Sequence, residues 1–175
     1  MRQFCNNLHS EIAITIRWFF GLVLLLTVQA QATDSTRLYN PAANAAKDVA
    51  QLLPKAKAEH KRVLLQIGGN WCVMCYRLNA FVQLDTVLKK LVDSNYIIYH
   101  LNYSPENKNL GYLKTIGSPQ RFGFPVLVVL DDNGKPLCTR ESEGLQRGNG
   151  YSFEKVSAFL QQWKRERTPE AKTGS

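Results

Sequence analysis

Val63-Leu64-Leu65-Gln66-Ile67-Gly68-Gly69-Asn70-Trp71-Cys72-Val73-Met74-Cys75 is the stretch that decides the fold. Its first five residues are almost wholly apolar, which suits a short strand buried on both faces. Gly68, Gly69 and Asn70 end that strand. From Cys72 onward, Cys75, Leu78, Val82, Val87, Leu88, Leu91 and Val92 recur at roughly helical spacing. That spacing predicts one helix of about five turns, with room for a kink. Two cysteines three apart therefore fall on the first turn of a helix that follows directly from a buried strand.

Such a pair can close a short disulfide. The first cysteine is expected to be exposed at the helix start, where the positive end of the helix dipole favours thiolate over thiol. The second lies about one turn inside, shielded, and can attack a mixed disulfide once one has formed. Cys72 is thus the candidate nucleophile and Cys75 the candidate resolving thiol. Two other readings stay open. As half of a zinc or copper site the pair needs further ligands, and Cys138, His60 and His100 have no partner spacing. No metal and no cofactor are expected on that ground. As a purely structural disulfide the pair would close a very short loop and constrain the unfolded chain little. Redox cycling explains the spacing better.

The flanks supply the rest of a domain. Upstream, Ala42 to His60 is rich in Ala and Lys, with Val49, Leu52 and Leu53 as a thin apolar stripe. This predicts a helix capped by Asn40, with Pro41 at its first position and an interruption or kink at Pro54. Downstream, Tyr96 to Leu101 reads as a strand, and Ser104-Pro105-Glu106 as the start of a short polar helix running to Ile116. Gly117-Ser118-Pro119 reads as a loop, and Val126 to Leu130 as the most strand-like segment of the chain. Asp131 to Lys135 is a hairpin turn with Asn-Gly at its tip, and Pro136 to Glu141 is the returning strand. Gly144 to Gly150 is expected to be a flexible loop, and Tyr151 to Arg167 an amphipathic helix carrying Phe153, Val156, Phe159, Leu160 and Trp163. The order implies an α/β fold: a mixed central sheet of about four strands flanked by helices on both faces, parallel at first and closed by an antiparallel hairpin.

Strand, small residues, Trp-Cys-x-x-Cys, long helix, strand, helix, Phe-Pro, strand, hairpin and helix together resemble the thioredoxin superfamily, in particular its exported branch. The resemblance covers roughly Lys61 to Lys164. It implies that Pro125 is a cis proline opening the strand that faces the active site, and that Phe124 and Pro125 flank the disulfide and offer backbone groups to an extended substrate. It also implies that Trp71 packs beside the disulfide, and that Val73 and Met74, between the cysteines, face substrate. Without the resemblance, Pro125 would read as an ordinary trans proline at a strand start. Two departures stand out. Thioredoxin has a buried acid where this chain has Gln66, and a neutral amide cannot shuttle a proton as a carboxylate does. The central dipeptide contains no His, which gives less support to a strongly depressed thiolate pKa. A reductase or electron relay is therefore favoured over a disulfide donor. The expected partners are disulfide-containing protein substrates and a membrane-bound thiol reductase as electron donor, with the chain acting as a monomer. The alternatives are a thioredoxin-fold adaptor or chaperone, which would use the apolar rim of Trp71, Met74, Tyr76 and Phe124, and a copper or zinc carrier.

The chain of 175 residues is 45% hydrophobic and 21% charged, long enough for one domain with a core of its own. Four cysteines, at 5, 72, 75 and 138, are too few for a disulfide-stapled scaffold. Arg2 and Arg17 precede an uncharged run from Trp18 to Val28, and Ala30-Gln31-Ala32 follows. This is the pattern of a cleaved signal peptide, and the run falls well short of the about 20 apolar residues that span a bilayer. The protein is accordingly expected to be periplasmic or secreted, losing Cys5 with the leader. The expected organisation is a signal peptide over 1–32, an N-terminal helical extension over 33–60, a thioredoxin-like domain over 61–167 and a disordered tail over 168–175. The net charge of +8 is scattered singly, and Lys164-Arg165-Glu166-Arg167 reads as a solvated helix end. No basic stripe interleaved with aromatics points to nucleic acid. Cys138 reads as a packed small hydrophobe.

Overall fold

In the computed structural model, which describes residues 37–166, the apolar run around Gln66 forms β1, Arg62–Gly68, buried along nearly its whole length. The reason is its central position. β2, Tyr96–Asn102, pairs with it in parallel, and β3, Val126–Leu130, pairs antiparallel on its other side. β4, Pro136–Glu141, joins β3 antiparallel, giving the order β2-β1-β3-β4. β4 is an edge strand, so its side chains alternate between half-buried and exposed, and Pro136 at its start forfeits no central ladder bond.

Alternation along β1 and β3 builds two cores. Leu64, Leu127 and Val129 meet Leu78 and Val82 of α2 (Val73–Leu84), Leu88 and Val92 of α3 (Thr86–Asn95), and Val156, Phe159 and Leu160 of α5 (Phe153–Trp163). On the other face, Val63, Leu65, Ile67, Val126, Val128 and Leu130 meet Ala45, Val49 and Ala56 of α1 (Ala45–Ala58) and Leu113 of α4 (Leu110–Thr115). Each fully buried aliphatic side chain of this kind stabilises the fold by about 1.5–3 kcal/mol. The fold is thioredoxin-like: a four-stranded mixed sheet with helices on both faces. By the same alternation Gln66 and Gly68 share the Leu64 face of β1, where α2 begins.

Several boundaries differ from those read in the sequence. α1 is capped by Asn44, whose side chain accepts the Lys47 N–H at 3.1 Å, while Asn40-Pro41 forms a turn. Pro54 sits inside the helix, which continues to Ala58. The expected five-turn helix is two helices. Asp85 takes an extended backbone (φ −85°, ψ 118°), and its carboxylate accepts the Val87 and Leu88 amides at 2.9 and 2.8 Å. Ser104-Pro105-Glu106 starts no helix. Asn102, Asn107 and Asn109 engage nearby backbone, Asn107 donating to the Pro41 and Ala43 carbonyls at 2.9 and 2.8 Å. Such bonds compete with helical ones, and α4 begins only at Leu110.

Gly117 and Ser118 lie in the expected loop, and Pro119 opens a 3-10 turn, Pro119–Phe122. The expected flexible loop holds a second 3-10 turn, Ser142–Leu145, followed by a small ladder of β5 (Gln146–Arg147) and β6 (Gly150–Tyr151). α5 starts after its cap, Ser152, and ends at Trp163. Arg165, beyond that end, makes a two-pronged pair with Asp132 at 2.7 and 2.6 Å, so the basic cluster is partly committed to the hairpin. The expected leader over 1–32, the first residues of the expected extension and the expected tail over 168–175 lie outside the described residues. Among the described residues no helix is long and apolar enough to cross a membrane.

Candidate active site

Cys72 is the N-cap of α2, with extended backbone (φ −91°, ψ 95°), and its Sγ accepts the Cys75 N–H at 3.2 Å. A backbone donor of the first helical turn therefore points at the first sulfur, the position at which the helix dipole favours negative charge. Cys72 and Cys75 are joined in a disulfide, with Cα atoms 5.3 Å apart. The sequence leads one to expect an exposed Cys72, but it is only 5% exposed, and Cys75 is wholly buried. The cover comes from Phe124 and from Leu38 and Tyr39, which pack on the two cysteines.

An aromatic ledge adjoins the disulfide. The Trp71 ring meets Phe124 edge-on at 5.2 Å, and its Nε1 donates to the Tyr103 carbonyl at 2.9 Å. Tyr103 tilts against Phe124 with ring centres 5.0 Å apart. About half of Trp71 remains open to solvent (53%). The Phe124–Pro125 peptide is cis, and Pro125 is buried just before β3. Trp71, Cys72, Cys75, Phe124 and Pro125 thus converge. Val73 is exposed on the first turn of α2, whereas Met74 is half-buried and packs on the core beneath the helices, its carbonyl accepting from the Tyr151 hydroxyl at 3.1 Å.

Tyr76 is no open rim residue. Its hydroxyl donates to Asn70 Oδ1 at 2.8 Å and accepts the Leu38 N–H at 3.2 Å. Asn70 completes the attachment by bonding both main-chain groups of Tyr39. The Tyr39 side chain enters the site, where its hydroxyl accepts from Gln66 Nε2 at 2.9 Å, and the same amide donates to the Cys75 carbonyl at 3.1 Å. His100, paired with Gln66 across the sheet, meets the Tyr39 ring edge-on at 5.5 Å. A Cβ on Gly68 would lie 2.4 Å from Cys75 Sγ and 2.9 Å from the Tyr39 hydroxyl oxygen, so only glycine fits there. Tyr39 lies far upstream of the cysteines and carries no motif, and nothing in the sequence points to it.

Burial sets the protonation of these groups. It raises the Tyr39 phenol well above its ordinary range, against a smaller opposing effect of the Gln66 hydrogen bond. It lowers His100 to about 4, so the imidazole is neutral at pH 7. Cys138, on β4, is half-buried against the core under the helices, and burial raises its thiol pKa while Arg140 pulls the other way. Among the described residues no three His, Cys, Asp or Glu side chains gather where a metal could sit.

A disulfide-bonded Cys-x-x-Cys that caps a helix at the end of a central strand, in a four-stranded mixed sheet, is the architecture of a thioredoxin-like thiol–disulfide oxidoreductase. The chain belongs to the thioredoxin-like family, whose profile matches residues 44–132, half of its length. Among solved structures it is similar to a disulphide isomerase from Xylella fastidiosa Temecula1, with 25% identity and a TM-score of 0.62 over 71% of this chain and 95% of that one. It also overlaps the C-terminal domain of DsbD from Neisseria meningitidis in the oxidised form, with 20% identity and a TM-score of 0.47 over 71% of this chain and 97% of that one. A DsbH oxidoreductase gives 22% identity and a TM-score of 0.47 over 65% and 76% of the two chains. No curated protein sequence gives a significant match.

Proposed function

We propose that this protein is an exported thiol–disulfide oxidoreductase that reduces or exchanges disulfides in protein substrates, with Cys72 as nucleophile and Cys75 as resolving thiol. The observation that carries the proposal is the Cys72 sulfur at the N-cap of α2, bonded by the Cys75 N–H. In the reduced protein that donor and the helix dipole stabilise a Cys72 thiolate. The thiolate attacks one sulfur of a substrate disulfide, and the other substrate sulfur leaves. Cys75 then attacks the Cys72 sulfur, the Cys72–Cys75 bond forms, and the second substrate sulfur departs. Two electrons pass to the substrate, and its two thiols take up the two protons that the cysteines give up. The reverse sequence hands the disulfide on.

Trp71 and Phe124 form the apolar contact for an extended substrate, Pro125 offers its backbone, and Val73 and Met74 border the site. A reducing or relay role is favoured by the absence of a His between the cysteines. Export rests on the leader pattern over 1–32. A membrane-bound thiol reductase is the electron donor that such a location calls for, because secreted thiols have no cytosolic reductant to draw on. The disulphide isomerase from Xylella fastidiosa supports exchange chemistry on this scaffold. The test is insulin reduction with dithiothreitol as reductant. Cys72→Ser is expected to abolish it, and Cys75→Ser to accumulate mixed disulfides. If both variants turn over like the parent, the reading fails.

A further inference from the structure

Resolution requires Cys75 to attack as a thiolate, and Cys75 is wholly buried. An unassisted thiolate there is costly, because burial penalises the charged form. Among the described residues, the titratable and polar groups around Cys75 and the Tyr39 phenol that packs on it are few. α2 itself contributes Cys72 and Tyr76, β1 contributes Gln66, β2 contributes His100, β6 contributes Tyr151, and the N-terminal segment contributes Tyr39. None is a carboxylate or a cation, and His100 is neutral. The Gln66 amide is committed to the Tyr39 oxygen and the Cys75 carbonyl. The Tyr39 oxygen accepts from Gln66, and among the described residues its own proton meets no acceptor in the oxidised site. That hydroxyl and Cys75 Sγ converge on one point, the place a side chain on Gly68 would occupy.

We propose that, in the reduced protein and in the mixed disulfide, the Tyr39 hydroxyl donates a hydrogen bond to the Cys75 thiolate and so promotes the resolving step. The inference rests on Cys75 being the resolving thiol. Burial keeps the phenol protonated throughout the pH range in which thiols ionise, so it acts as a donor and not as a base. In the step itself the Cys75–Cys72 bond forms and the Cys72–substrate bond breaks. The substrate sulfur leaves with the electron pair and takes up one proton, matching the one Cys75 has lost to water. The phenol is held in place from its backbone, by the two bonds of Asn70 and, one residue earlier, by Tyr76. This segment precedes residue 44, where the family match begins.

The test is a two-phase stopped-flow reaction of the reduced protein with dithiobis-nitrobenzoate. The first thionitrobenzoate is released when Cys72 attacks, and the second when Cys75 resolves the mixed disulfide. Tyr39→Phe keeps the ring and removes the donor. It should slow the second phase at pH 7 about tenfold, the scale of one hydrogen bond to a charged group, and leave the first phase within about twofold of the parent, since no donor to Cys72 is lost. The gap should close as pH rises and Cys75 ionises unaided, which moves the pH profile of the second phase to the alkaline side. Asn70→Ala, which keeps the phenol but frees its backbone, should slow the same phase, and it carries the test if Tyr39→Phe does not fold. A second phase equal to the parent's at every pH in the folded variant, or both phases slowed alike, overturns the inference. If Cys75→Ser releases its second thionitrobenzoate as fast as the parent does, the assignment of Cys75 itself has failed instead.

Discussion

The side-chain amide of Asn70 pairs with the main chain of Tyr39: its Oδ1 accepts the Tyr39 N–H at 3.0 Å, and its Nδ2 donates to the Tyr39 carbonyl at 2.8 Å. Asn70 thus serves as a one-residue substitute for a neighbouring strand. It satisfies a segment that belongs to no sheet and ties it beside the disulfide. The segment before α1 is in this way a wall of the site.

Asn70→Ala leaves both main-chain groups of Tyr39 without their partners. The expected cost is about 1–3 kcal/mol, read as a lower urea midpoint at unchanged slope. Because Leu38 and Tyr39 cover the cysteines, the reduced variant should also be alkylated faster at Cys75. Alkylation at the parental rate would show that the cover does not depend on this pair.

Two glycine substitutions should move stability in opposite directions. Gly68→Ala drives a methyl against Cys75 Sγ and the Tyr39 hydroxyl, and overpacking of this kind costs about 1–3 kcal/mol. Gly111, in α4, has nothing within 4 Å of the position its Cβ would take. Gly111→Ala should therefore stabilise by up to about 1 kcal/mol through helix propensity. Thermal denaturation of the two variants beside the parent checks both signs.

His100 should impose an acid limb on stability. Its pKa is lowered by burial from 6.5 to about 4, and its Nε2 is buried without a partner. The unfolded chain binds a proton below pH 6.5, while the folded chain does not until near pH 4. Stability is therefore unaffected above pH 6.5 and falls between 6.5 and 4, by about 3 kcal/mol for a shift of this size. His100→Phe should flatten that part of the curve of unfolding free energy against pH. A curve that keeps its slope would assign the acid sensitivity to other groups.

Trp71→Ala removes one of the three rings of the ledge while leaving both sulfurs in place. Catalytic efficiency towards a protein disulfide should fall about tenfold, since aromatic anchors carry much of the binding energy at such contacts. The rate with a small aromatic disulfide should change little. Equal losses on both substrates would mean that Trp71 acts on the disulfide and not on the substrate chain.

Much of this is legible in the amino-acid sequence. β1 and β3 are readable because strands buried on both faces are short apolar runs, β2 because Tyr96 to Leu101 is rich in β-branched and aromatic residues, and the hairpin because Asn133-Gly134 sits between β3 and β4. Interruptions made by polar side chains are not. Asp85 turns one helix into two by bonding the Val87 and Leu88 amides, yet it occupies a position that the apolar pattern leaves polar either way. The asparagines at 102, 107 and 109 likewise displace the start of α4 without any periodic signature.

At the site, the stretch from Val63 to Cys75 determined by itself the strand, the turn, the helix and the placing of two cysteines on its first turn, because those relations are local and follow from burial and spacing. Tertiary structure alone decided that Cys72 is covered, that Gln66 is bonded to a phenol, and that the phenol comes from Tyr39. An apolar pattern records that a position is buried but not which distant segment buries it, and a side-chain hydrogen bond between remote residues depends on coordinates that no spacing along the chain encodes.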